Sequence, residues 1–159
     1  MSQKQFVQNA SQGFWAYDVA LGVFLKHLVD AAEASDQADL PWLSNAVPSW
    51  RTVACISDYG LTLDEDWSAA QQRTFIALAE EACERLASRE SIPAKEIVAW
   101  LLLDDLRIFP RGATEVYTEP VVELGRAVIA LISGTLPEPP IGTVWFYGQM
   151  KVAGRSGGG

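Results

Sequence analysis

Basic residues are scarce in this chain: 12 Lys and Arg face 20 Asp and Glu over 159 residues, a formal net charge of −8. A surface built throughout to hold phosphate backbones or anionic lipid needs clustered cations, so that class is excluded. Histidine is rarer still, with His27 alone, and there is no G-x-S-x-G turn, so a serine or cysteine nucleophile lacks its usual base and setting. Cys55 and Cys83 lie far apart with no flanking ligand types; they read as buried thiols, and neither a zinc site nor a disulfide framework is indicated. Neither Gly-rich phosphate loop, G-x-x-x-x-G-K-[ST] or G-x-G-x-x-G, occurs. Apolar runs are short too. The longest, residues 19–25 and 97–103, fall well below the roughly 20 residues that cross a bilayer. The opening residues carry one Lys and no apolar stretch, so a secretory signal is not expected and the expected location is the cytoplasm.

What the chain does have is a core. Hydrophobic residues make up 49% and charged residues 20%, which suits a packed domain and not a disordered one. The expected organisation is a flexible N-terminus over residues 1–12, one helical domain over 13–150 and a flexible Gly-rich tail over 151–159. Phe14, Tyr17, Leu21, Phe24, Leu28 and Ala31 recur at helical spacing and predict a first helix from about residue 14 to 34. Residues 35–48, with Pro41, Asn45 and Pro48, read as a loop, after which Ser49 caps a short helix. The clearest helix follows Ser68, with Phe75, Leu78, Ala79, Ala82, Cys83 and Leu86 on one stripe. Ser91 and Pro93 predict a further helix to about Leu103, and apolar residues on every side of residues 97–103 place it centrally. A last helix is expected from Thr118 to Gly134. The fold class expected is therefore mostly α: a single-domain bundle of about five helices, with a short β-strand or hairpin near residues 106–109 and 143–147.

Carboxylates are the only candidate chemistry. Asp64 and Asp66 resemble the start of a calcium loop, but the turn Gly is missing and Phe75 stands where the closing Glu belongs. Glu81 and Glu84 lack the E-x-x-H partner of a di-iron site. No metal and no cofactor is expected. Asp104 and Asp105, followed by Arg107 and Arg111, form the one polar group after an apolar helix, which permits an acid/base pair beside an anion-holding guanidinium. The plainer reading gives these arginines to loop-holding ion pairs with Asp105, Glu115 or Glu119.

The distribution of charge says more. Residues 58–84 hold seven acids and one base, a net charge of −6 that is most of the excess. Acids just before a helix are favoured by its dipole, which explains part of this. Tyr59 and Trp67 flank Asp58, Asp64, Glu65 and Asp66, and aromatics beside carboxylates suit a contact surface for a basic protein.

The order of landmarks resembles that of small acidic immunity-type proteins encoded beside bacterial polymorphic toxins. The residues concerned are Phe14-Trp15-x-Tyr17-Asp18, Trp50, Trp67-Ser68, Ile97-Val98-Ala99-Trp100, Arg107-Ile108-Phe109-Pro110-Arg111-Gly112, Pro139-Pro140-Ile141-Gly142 and Trp145-Phe146-Tyr147-Gly148, covering about residues 14–148. What the resemblance implies is a cytosolic protein without enzymatic activity that binds a cognate toxin domain and covers its active site or substrate groove. A toxin acting on nucleic acid would carry a basic groove, to which an acidic inhibitor is suited. The expected contact residues are Asp58, Tyr59, Asp64, Glu65, Asp66, Trp67, Asp104 and Asp105, with no direct nucleic-acid or membrane contact. Two other readings stay open: an acidic secretion chaperone or adaptor that holds an effector segment, and a small hydrolase using Asp104, Asp105, Arg107 and Arg111.

Overall fold

A computed structural model describes residues 3–56 and 60–149. It corrects the expected helical bundle: among the described residues five helices share the chain with six strands, in an α/β arrangement with one four-stranded and one two-stranded sheet. The correction begins at the N-terminus. Lys4–Asn9 (β1) and Gln12–Tyr17 (β2) form an antiparallel hairpin, in place of a flexible segment and a first helical turn. Val7, Phe14 and Ala16 point into the core, while Phe6 and Trp15 meet edge to face on the opposite side at 5.1 Å. That is the two-residue period of a strand. Gly13 is required here, because a Cβ would strike the Val7 carbonyl and the Phe6 ring.

The chain then enters Asp18–Ala34 (α1), the central helix, which packs against Pro41–Cys55 (α2), Ala69–Ala87 (α3) and Thr118–Ser133 (α5). Val19, Leu21, Val23, Phe24, Leu25, Leu28 and Val29 are all buried, so α1 is apolar on most of its circumference as a helix enclosed by neighbours must be. α2 occupies much of the stretch expected to be a loop. Pro41 sits in its first turn, where a missing N–H costs nothing, and Pro48 lies on the exposed face while Leu43 and Trp50 bury the other. α3 starts as the sequence indicates: Ser68 Oγ accepts from the Gln71 N–H and Gln71 Oε1 accepts from the Ser68 N–H, a reciprocal capping box.

The four-stranded sheet has the order β3-β1-β2-β6, with Leu61–Thr62 (β3) parallel to β1 and Phe146–Tyr147 (β6) parallel to β2. A strand thus forms at the end of the expected 143–147 stretch. Residues 106–109 form none, and Leu106 instead closes a tight turn on Leu103, its N–H bonded to the Leu103 carbonyl at 2.8 Å. The smaller sheet pairs Ser91–Pro93 (β4) with Glu115–Tyr117 (β5). Between them Ala94–Ala99 (α4) is a short helix and not the central one expected, with Ile97 and Leu102 buried but Val98 and Leu101 exposed. Thr118 opens α5 without capping it; its hydroxyl donates to the Arg89 and Glu90 carbonyls and ties α5 to the start of β4. No helix among the described residues is long and apolar enough to cross a membrane. The expected tail lies outside the described residues.

Candidate functional site

The strand β3 leaves the sheet into a turn at residues 64–66. There Asp64 Oδ1 accepts from the Asp66 N–H at 2.8 Å and the Asp64 carbonyl from the Trp67 N–H at 3.3 Å. Asp64, Glu65 and Asp66 all face solvent, and among the described residues none of them forms an ion pair. Beside Asp64 and Asp66 lies a hollow of about 380 Å³. One of its walls is a single face of α2, carrying Trp42, Asn45, Ala46, Ser49 and Trp50, and the rest comes from Thr62, Trp67 and Gln71. The α2 residues are spaced at three, four, seven and eight from Trp42, as one helical face requires.

The aromatic groups form a continuous cluster beneath this hollow. Trp42 meets Trp67 edge to face at 5.4 Å, Trp67 leans on Phe75 at 5.0 Å, and Trp50 meets Phe75 at 5.7 Å. Trp67 is 9% exposed and Trp50 is 3% exposed, so of the two places the sequence leaves open for Trp67, core or exposed anchor, it takes the core. Only Trp42 is half-exposed. Fixed rings of this kind contribute an edge or face to a ligand without losing further rotamer freedom.

No protein-family model, curated protein or solved structure matches this chain. The structure brings Asp64, Asp66 and Trp67 together and adds Trp42 and Trp50, which the sequence reading missed. Their signal was present in the 42, 45, 46, 49, 50 spacing, hidden because Pro41 and Pro48 suggested a loop. Asp58 and Tyr59 lie outside the described residues. The remaining acids of the 58–84 stretch do not join this surface: Glu80, Glu81 and Glu84 sit more than two turns along α3, about 20 Å from its start, and Glu81 pairs with Arg85 at 3.3 Å.

Asp104 and Asp105 form a second, separate acidic point at the tip of the Leu103–Leu106 turn, with Asp104 in the left-handed region at φ 52°. Leu101, 64% exposed, and Phe109, 76% exposed, flank it in sequence. The acid/base grouping expected there is not assembled. Arg111 turns away to Asp18, whose Oδ2 accepts from Arg111 Nε at 3.0 Å and Nη2 at 2.8 Å. Asp18 is 7% exposed, and its Oδ1 also accepts the N–H groups of Val19 at 2.9 Å and Gln3 at 3.3 Å. Its hydrogen-bonding capacity is spent on holding β1, α1 and the 104–112 loop together. Burial raises the pKa of both Cys55 and Cys83 above the ordinary thiol value, which keeps them protonated and poorly nucleophilic.

Proposed function

We propose that this is an immunity-type protein: a cytoplasmic, non-enzymatic inhibitor that covers the basic groove of a cognate toxin domain acting on nucleic acid. The observation that carries the reading is the pair of exposed, unneutralised carboxylates, Asp64 and Asp66, at a hollow walled by tryptophan. Charge of this kind attracts a basic surface over a distance, and ordered aromatics supply the short-range contact. The Asp104–Asp105 turn with Leu101 and Phe109 offers a second, smaller contact of the same composition. The test is protection of cells that express the toxin encoded next to this chain. Wild type should restore growth, and the triple reversal Asp64→Lys, Glu65→Lys, Asp66→Lys should abolish both protection and co-purification. Full protection by the reversed variant would overturn the reading.

One observation favours a second reading. Secretion chaperones commonly build their contacts on sheet, and the four-stranded sheet with short edge strands β3 and β6 supplies what the helical expectation denied. The discriminating measurement is the state of the bound partner. An inhibitor leaves it folded and silent, and a chaperone holds it extended.

A further inference from the structure

We propose that a small cavity between the start of α1, the end of α2 and the 108–111 loop is a binding site for a neutral primary carboxamide. The observation that carries it is Gln5. This residue alternates with Val7 on the core face of β1, where an apolar side chain is expected, and it is 4% exposed. Among the described residues its buried Oε1 has no hydrogen-bond partner, and its Nε2 donates to none. An amide left in this state costs stability, and one that persists beside a cavity marks a place where an occupant supplies the partner. Gln5 borders a cavity of about 160 Å³. Its cross-strand neighbour is Ala16, too small to cover the amide. The terminal torsion of a glutamine is soft, so a turn about it presents both amide atoms to the cavity.

The walls define the occupant. Val19, Ala54, Ile108 and Phe109 are apolar and suit a short hydrocarbon body. The charged residues that border the cavity, Asp18 and Arg111, are bonded to each other, so an ionic occupant loses its water and gains no counter-ion. That leaves the Gln5 amide to be met. A carboxylate cannot donate to Oε1, an ammonium cannot accept from Nε2, and a hydroxyl offers one atom where Gln5 offers two. A primary carboxamide carries a donor and an acceptor at the spacing of Gln5's own, and the two amides close a ring of two hydrogen bonds. This holds whichever way the Gln5 amide is turned, because exchanging its oxygen and nitrogen still leaves one acceptor and one donor unmet. The same group ends asparagine and glutamine side chains, so a free small amide and a protein side chain share the required chemistry.

The experiment titrates propionamide into the full chain and follows the Gln5 side-chain amide and Ile108 methyl signals by NMR. Both should move saturably, with half-saturation at about 1–10 mM for a ligand this small. Propionate and 2-butanone have nearly the same shape, but the first is charged and the second has no donor, so neither should move these signals saturably. Gln5→Leu should weaken propionamide binding at least about tenfold, the loss of two hydrogen bonds, and Asp64→Asn should leave it unaltered. N-acetyl-glutamine methylamide separates the two sources: binding at least as tight as propionamide supports a protein side chain as the occupant, and its exclusion supports a free amide. Absence of a saturable shift at Gln5 with propionamide overturns the proposal. Equal binding of propionate or of 2-butanone overturns it as well, as does undiminished binding by Gln5→Leu. Should Gln5→Leu not fold, the three wild-type titrations decide. No toxin enters these measurements, so their failure leaves the basic-partner reading standing.

Discussion

The side chains that hold this molecule in one arrangement are few and chemically specific. Arg111 is the most demanding, because it adopts a left-handed φ of 58° to bring its guanidinium onto Asp18. Arg111→Ala leaves a buried carboxylate without its cation and keeps the backbone strain; the expected loss is about 2 kcal/mol, reduced from a fully buried pair because the guanidinium is partly exposed. Arg111→Gly loses the same pair but relieves the strain, and should be more stable than the Ala variant by about 1 kcal/mol. Denaturant midpoints at constant slope measure both. His27 sets the pH response. Its Nδ1–H donates to the Val23 carbonyl at 2.8 Å and its ring meets Trp100 at 5.7 Å. Burial is the largest influence and pushes its pKa below the ordinary 6.5, with Lys26 and Arg85 acting in the same direction and the Val23 bond and Asp30 opposing. The unfolded chain thus takes up the proton at a higher pH than the folded one. Stability should fall as pH drops below about 6.5 and level off once the folded-state imidazole is also protonated. In His27→Gln the slope between about pH 7 and about pH 5 should flatten; an unchanged slope would remove His27 from this role.

Elements meet closely at one point. Gly125 of α5 sits where an added Cβ would lie 2.6 Å from Cys83 Sγ and 2.8 Å from the Phe24 ring, so three helices converge on the missing side chain. Gly125→Ala gains helix propensity in an isolated helix but must push α3 or α1 aside here. A net loss of about 1–3 kcal/mol is expected, and a Tm at or above wild type would show that the contact yields easily. This convergence also explains what was legible. α3 and α5 carry clean apolar stripes, and their ends are written as Ser68 with Gln71 and as Gly134 at φ 74°. The β1–β2 hairpin is written in residues that resist reading. Its core face includes Gln5, whose buried Oε1 has no partner among the described residues, and Ala16, while its two-residue loop uses Ala10 at φ 52° instead of glycine or asparagine. Phe14 and Tyr17 then fell by coincidence on the helical spacing of α1, which begins only at Asp18. α4 failed in the opposite sense. Its apolar run is not central because Leu101 and Val98 are spent on the surface. The candidate site was half legible: the acids are local and visible in the sequence, but the hollow exists only because α2, absent from the expected bundle at residues 41–48, lays Trp42 and Trp50 beside them.

At the scale of the whole molecule, the net charge of −8 resolves into separate points and not one acidic face. The turn at residues 64–66, the far half of α3 and the tip at 104–105 present acids on different elements, and Glu33, Glu81 and Glu96 are already matched by Arg51, Arg85 and Arg89. Long-range attraction depends on the sum of charges, while short-range contact depends on which are free, so the two should separate experimentally. Under the proposed function, salt should slow association with a basic partner about tenfold between roughly 50 mM and roughly 500 mM, because the Debye length shrinks below the distance over which the charges steer. Neutralising Glu80 and Glu84, which lie away from the hollow, should slow association and leave dissociation unchanged. Neutralising Asp64 and Asp66 should slow association by a similar amount and also speed dissociation if, as proposed, these two carboxylates contact the partner. Stopped-flow association and surface-plasmon dissociation rates supply the comparison. Equal dissociation rates for the two double variants would mean that the 64–66 turn only steers, and that the contact surface lies on another element.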